Sequence, residues 1–135
     1  MKDTLYILLI DDDQDDVDLF RYALKLNEVP CHLSVLMTGD EVAPYLLTVP
    51  TLPDVVVLDL NLPNVNGRDV LRQIKASPGF KAIPIVVLTT SSAREDREYC
   101  LALGVDQFLN KPVTAKAFTT TAATIVDLAL MNKRG

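Results

Sequence analysis

Five short apolar runs, most of them without a single polar residue, set the tightest limit on how this chain can fold. They are Tyr6 to Ile10, Leu33 to Met37, Val55 to Leu58, Ile85 to Leu88 and Phe108 to Leu109. A strand with one wet face alternates apolar with polar residues. A strand apolar at every position needs cover on both faces, which is the situation in a parallel sheet between two layers of helix. The stretches between the runs supply those helices. From Asp15 to Leu26, Val17, Phe20 and Leu24 recur at spacings of three and four. Shorter helices are predicted over Glu41 to Leu47, Arg68 to Ala76 and Ala93 to Leu103, with Gly104 placed to end the last one. A final helix, from about Thr114 to Met131, carries Phe118, Ala122, Ile125 and Ala129 in one stripe that Val126 and Leu130 widen. Lys133 and Arg134 suit the negative end of its dipole.

Strand and helix thus alternate five times. That pattern predicts an α/β fold with right-handed crossovers: a doubly wound, flavodoxin-like (βα)5 unit whose five parallel strands run in the order 2-1-3-4-5. At 135 residues the chain has room for one ordinary domain, expected over 1–135 with no output domain attached. No apolar run reaches the twenty or so residues that span a bilayer, and the N-terminus lacks the pattern of a secretory signal, so the expected location is cytoplasmic. Cys31 and Cys100 are too few for a disulfide framework and are read as reduced. A net charge of −5 disfavours direct nucleic-acid binding, which relies on clustered Lys and Arg.

The acids are unevenly spread: Asp11, Asp12, Asp13, Asp15, Asp16 and Asp18 fall within eight positions. In a doubly wound sheet, ligands bind beyond the carboxyl ends of the strands, where the strand order reverses. The first strand ends in Asp11-Asp12-Asp13, the third in Asp59, the fourth in Thr89-Thr90 and the fifth in Asn110-Lys111-Pro112. Singly, each has a plain reading: a helix cap, a turn aspartate, a strand threonine, a solvated lysine. Together they place several carboxylates at one point, where they repel unless a cation intervenes. Hard oxygen ligands in an open cleft suit magnesium better than zinc. Phosphoryl transfer needs such a metal, a fixed positive charge and an acceptor oxygen, and a carboxylate can be that acceptor. Asp59, alone at the centre of the sheet, is the candidate acceptor, with Lys111 and Thr89 as phosphoryl contacts and Asp11 and Asp12 as metal ligands.

The chain resembles the bacterial response-regulator receiver domains from Leu5 to about Leu130. The resemblance rests on the acidic pair, Asp59-Leu60-Asn61-Leu62-Pro63 followed by Asn66-Gly67, then Leu88-Thr89, and Phe108-Leu109-Asn110-Lys111-Pro112. It implies that Asp59 receives a phosphoryl group from a phosphohistidine on a sensor histidine kinase or phosphotransfer protein. Asp12 would bind Mg2+ directly, Asp11 through water, and Asn61 through its backbone carbonyl, while Thr89 and Lys111 would contact the phosphoryl group. Phe108 would be the switch aromatic, turning inward as the Thr89 hydroxyl moves toward the phosphate, and the Lys111–Pro112 bond would be cis. Asp13 extends the acidic pair to three, which leaves open which carboxylate touches the metal. Thr90 stands where receivers usually carry a smaller residue, and Asn61 and Ser91 match positions that tune phosphoryl lifetime.

The Ile74-Lys75 segment, Pro78, Ile83-Pro84 and Val-Val-Leu-Thr-Thr-Ser-Ser are most similar to stand-alone receivers partnered with phytochrome-type histidine kinases. On that reading the output is an unidentified downstream protein or onward phosphotransfer. Two alternatives belong to other classes: an aspartate-nucleophile phosphatase, which needs an acid where Asn61 stands, and a phosphorylation-independent adaptor. His32 is expected at the surface, Cys100 and Leu103 against the sheet, and Tyr99 partly exposed. The apolar content of the last two helices raises a homodimer as a further expectation.

Overall fold

The computed structural model describes residues 4–134; Met1–Asp3, Gly135 and the Arg134 side chain, with its expected helix-end role, fall outside it. Strands β1 (Leu5–Ile10), β2 (Cys31–Leu36), β3 (Val55–Leu58), β4 (Ile85–Thr89) and β5 (Gln107–Asn110) alternate with helices α1 (Gln14–Lys25), α2 (Val42–Thr48), α3 (Gly67–Ala76), α4 (Arg94–Ala102) and α5 (Ala115–Arg134). All strand pairs are parallel, in the order β2-β1-β3-β4-β5.

Because successive side chains leave a strand on opposite faces, the continuous apolar runs divide into two cores. Ile7, Leu9, Val55, Val57, Val86 and Leu88 pack with Val17 and Phe20 of α1 and Phe118 and Ile125 of α5. Leu8, Ile10, Val56, Leu58, Ile85 and Val87 pack with Val42 of α2, Leu71 and Ile74 of α3 and Cys100 of α4. All four residues of β3 are buried, so the strand that leads into Asp59 is fixed from both sides.

Most boundaries shift by one or two residues from the sequence reading, and three of the differences have a structural reason. β2 starts at Cys31 rather than Leu33, because it pairs in register with Leu5–Ile10 and an edge strand tolerates His32 and Ser34. A 3-10 turn, Gly39–Glu41, precedes α2, and Glu41 Oε1 accepts the Met37 and Thr38 N–H groups there. α5 continues past Met131 to Arg134, and Lys133 Nζ lies 3.4 Å from Asp54 Oδ2 and 5.7 Å from the centre of the Tyr6 ring. Gly104 follows α4 with φ +94°, the left-handed conformation that ends a helix. His32 is exposed and stacks at a tilt on Tyr6; Cys31 and Cys100 are free thiols; Tyr99 is partly exposed. Among the described residues, no helix is long and apolar enough to cross a membrane.

Candidate phosphoryl and metal site

The loops after β1, β3, β4 and β5 meet at the carboxyl edge of the sheet. After β1 the three consecutive aspartates do different work. Asp13 is the N-cap of α1, its Oδ1 accepting from the Asp15 and Asp16 N–H groups. Asp11 turns inward, buried, with Oδ1 accepting the Asp13 N–H at 2.9 Å. Asp12 is exposed beside it. The plain capping reading of the acidic run is therefore correct for Asp13 and leaves Asp11 and Asp12 free for the pocket.

After β3, Asp59 is buried, and its N–H donates to Ile10 O at 2.9 Å. Its Oδ1 accepts the Asn61 N–H at 3.0 Å, and its Oδ2 lies 3.0 Å from Lys111 Nζ. The chain returns over Asp59 so tightly that a Cβ on Gly67 would lie 2.5 Å from Asp59 O and from Leu60 Cα. Only glycine fits there without displacing backbone. Carboxylate oxygens of Asp11, Asp12 and Asp59 all lie within 4.8 Å of one another, so the three predicted side-chain ligands do converge.

Lys111 reaches them from the end of β5, its backbone N–H donating to Thr89 O at 2.9 Å. The nearly buried ammonium lies 3.0 Å from Asp11, 3.0 Å from Asp59 and 2.7 Å from Asp16. The Lys111–Pro112 bond is trans, contrary to the expected cis form; among the described residues no peptide bond is cis. The trans isomer is the intrinsically favoured one, and from it the side chain already spans to all three carboxylates. Burial alone would lower the Lys111 pKa, but hydrogen bonds to Asp16, Asp11 and Asp59 override it and raise the pKa above that of an ordinary lysine. Burial raises the Asp11 carboxyl above its usual value, against the Asp13 N–H and Lys111, which lower it.

Thr89 is fully buried at the end of β4. Its Oγ1 accepts the Ser91 N–H at 3.2 Å and makes no hydrogen bond to Asp59. Phe108 is also buried, packed in the core beneath α4 with the Arg97 guanidinium 5.8 Å from its ring centre. Thr90 and Asn61 are linked across the mouth of the site, Asn61 Nδ2 donating to Thr90 Oγ1 at 3.4 Å. Asp16 is the site residue that sequence reasoning missed. It is one more acid in a crowded stretch, and its partner lies 95 positions away. A surface cleft of about 540 Å3, lined by Arg21, Leu24, Cys31 and Leu33 among others, lies at the C-terminal end of α1 and holds none of these groups.

Residues 7–123 match the family described as the response regulator receiver domain. The chain belongs to that family. Response regulator Rcp1 of Synechocystis sp. is 36% identical over 110 residues, which covers 78% of this chain and 75% of that protein. The crystal structure of the phosphorylated cyanobacterial phytochrome response regulator RcpA shares 32% identity, with a TM-score of 0.88 over 95% of each chain. The Mn(2+)-bound form of Rcp1 shares 33% identity, with a TM-score of 0.82 over 90% of this chain and 91% of that one. The chain is accordingly a receiver domain of two-component signalling. Receiver domains bind a divalent metal, and the Asp11, Asp12 and Asp59 oxygens have the hardness, number and spacing for one.

Proposed function

We propose that Asp59 accepts a phosphoryl group from a phosphohistidine of a sensor histidine kinase or phosphotransfer protein. The observation that carries this reading is the ammonium of Lys111 on the Asp59 carboxylate, beside two further carboxylates within 4.8 Å at the carboxyl edge of the sheet. In the transfer, Asp59 Oδ attacks phosphorus, the P–N bond to the imidazole breaks, and the imidazole nitrogen leaves with the bonding electron pair. The Asn61 N–H and the Lys111 ammonium hold the two Asp59 oxygens apart in orientation before attack. Lys111 then faces the phosphoryl oxygens, and the Thr89 hydroxyl donates to one of them.

We assign the metal to Mg2+, which Asp12 and Asp59 would hold directly, Asp11 through water, and Asn61 by its backbone carbonyl. Its chemistry there is to offset the charge on the phosphoryl oxygens. Self-catalysed phosphorylation from a small phosphodonor, and self-catalysed hydrolysis, belong to the same reading. Likeness to Rcp1 and RcpA supports a phytochrome-type kinase as the donor. Output through a downstream protein contact follows from a population shift: a phosphoryl group engaged by Thr89 and Lys111 favours one arrangement of the β4–α4 loop over the other. A homodimer through the α4 and α5 side is supported by the exposed Tyr99, Leu101 and Met131.

The phosphatase alternative lacks its acid, because Asn61 cannot protonate a leaving group. Incubation with a chromogenic phosphate ester tests this: the receiver reading predicts at most one acid-labile phosphoryl group per chain. Rapid ester turnover with no phosphoprotein accumulating would contradict it.

A further inference from the structure

Arg68 and Asp96 form a charged clamp that the phosphoacceptor machinery does not account for. Arg68, the second residue of α3, donates from Nε to Asp96 Oδ1 at 2.6 Å and from its second terminal nitrogen to Asp96 Oδ2, a two-point fork onto the first turn of α4. Its remaining terminal nitrogen donates to Asn66 Oδ1 at 3.0 Å, the same oxygen that caps α3. On the other side Ser91 Oγ donates to Asp96 Oδ2 at 2.5 Å. Ser91 is thereby held at three points, since its carbonyl accepts Asn110 Nδ2 at 3.1 Å and its N–H donates to Thr89 Oγ1. Arg68 holds the Asp96 carboxyl below the usual carboxylate range, with Ser91 adding to the effect, so the clamp remains charged in mild acid.

A threonine hydroxyl has one proton and two acceptor lone pairs. With one lone pair occupied by the Ser91 N–H, the rotation of the buried Thr89 hydroxyl is restricted, and among the described residues its proton has no acceptor. A donor fixed in place and lacking an acceptor is suited to an oxyanion that arrives later. We infer that Arg68 and Asp96 are positioning residues for Thr89: through Ser91 they hold the β4–α4 loop so that the Thr89 hydroxyl is ready for a phosphoryl oxygen. This rests on the phosphoacceptor reading of Asp59.

The test follows phosphoryl uptake by the full chain from acetyl phosphate with Mg2+, in Asp96→Asn, Arg68→Ala and Ser91→Ala proteins. Each is expected to slow the saturated rate about fivefold, with an unchanged donor concentration at half-maximal rate, as for loss of one orienting hydrogen bond. In a Thr89→Ala background none of the three should slow uptake further. If Asp96→Asn or Arg68→Ala fails to fold, Ser91→Ala interrupts the same chain of bonds within the loop and decides the question alone. Uptake at the wild-type rate in Ser91→Ala overturns the inference, as does equal slowing with and without Thr89, which would mark a purely structural role. A wild-type protein that takes up no phosphoryl group overturns both this inference and the reading beneath it.

Discussion

Asp54 and Asp59 flank the same four-residue strand, and each meets a lysine, yet the two ends of β3 differ in kind. At the amino end Asp54 accepts the Tyr6 N–H at 2.8 Å and pairs with Lys133 at 3.4 Å, one carboxylate against one partly exposed ammonium. At the carboxyl end the single ammonium of Lys111 meets Asp11, Asp16 and Asp59, and Asp12 lies in the same cluster. Burial and ion pairing are common to both ends, so neither marks a reactive site. The difference is charge balance. A structural pair closes on itself, whereas an uncompensated excess of carboxylate stores a demand for a cation.

The sharpest way to break this contrast is to remove each aspartate in turn. Asp59→Asn should abolish acid-labile phosphoryl uptake, while Asp54→Asn should label as the wild type does; loss of labelling in both would erase the distinction. Next in size is the effect of the two lysines on folding. Lys111→Met leaves buried carboxylates without their ammonium and should cost about 3 kcal/mol in urea unfolding without metal. Lys133→Met, at a partly exposed pair, should cost less than about 1 kcal/mol. Metal binding separates the ends as well. Asp12→Ala should weaken Mg2+ binding at least about tenfold by calorimetry, and Asp54→Asn should not change it.

The smallest effect is a pH dependence of fixed sign. The folded-state pKa of Asp11 is raised above its ordinary 3.8, so the folded protein binds the proton more tightly than the unfolded chain does. The stability this contributes is present below that value and is lost as pH rises through the raised folded pKa. Metal-free Asp11→Asn protein should therefore melt higher than wild type at neutral pH, and the gap should close on acidification. A gap that widened in acid would reverse the assigned sign.

The fold was legible because β1, β3 and β4 as far as Leu88 carry no relief from apolarity, and a strand of that kind has few places to go. β3 matches at both ends, Val55 and Leu58, since Asp54 and Asp59 bracket it. The convergence of Asp11, Asp12, Asp59 and Lys111 was legible for a related reason: topology alone delivers strand ends to one edge. What the sequence concealed depends on side-chain reach between elements. Asp16 looks like any first-turn helix acid, and nothing in Arg68 or Asp96 names the other as its partner 28 positions away. The division of labour among Asp11, Asp12 and Asp13 was also hidden, because it turns on which residue takes up the extended N-cap conformation, a choice settled by where α1 docks.

The central claim is that the carboxyl end of β3, and no other acidic position, carries the transferred group. Wild-type protein phosphorylated with acetyl phosphate and Mg2+, reduced with borohydride and mapped by peptide mass spectrometry tests it most directly. One modified site at Asp59 is the predicted result. Modification at Asp11, Asp12 or Asp54, or a phosphoprotein whose label survives acid and maps to a hydroxyl residue, would contradict it.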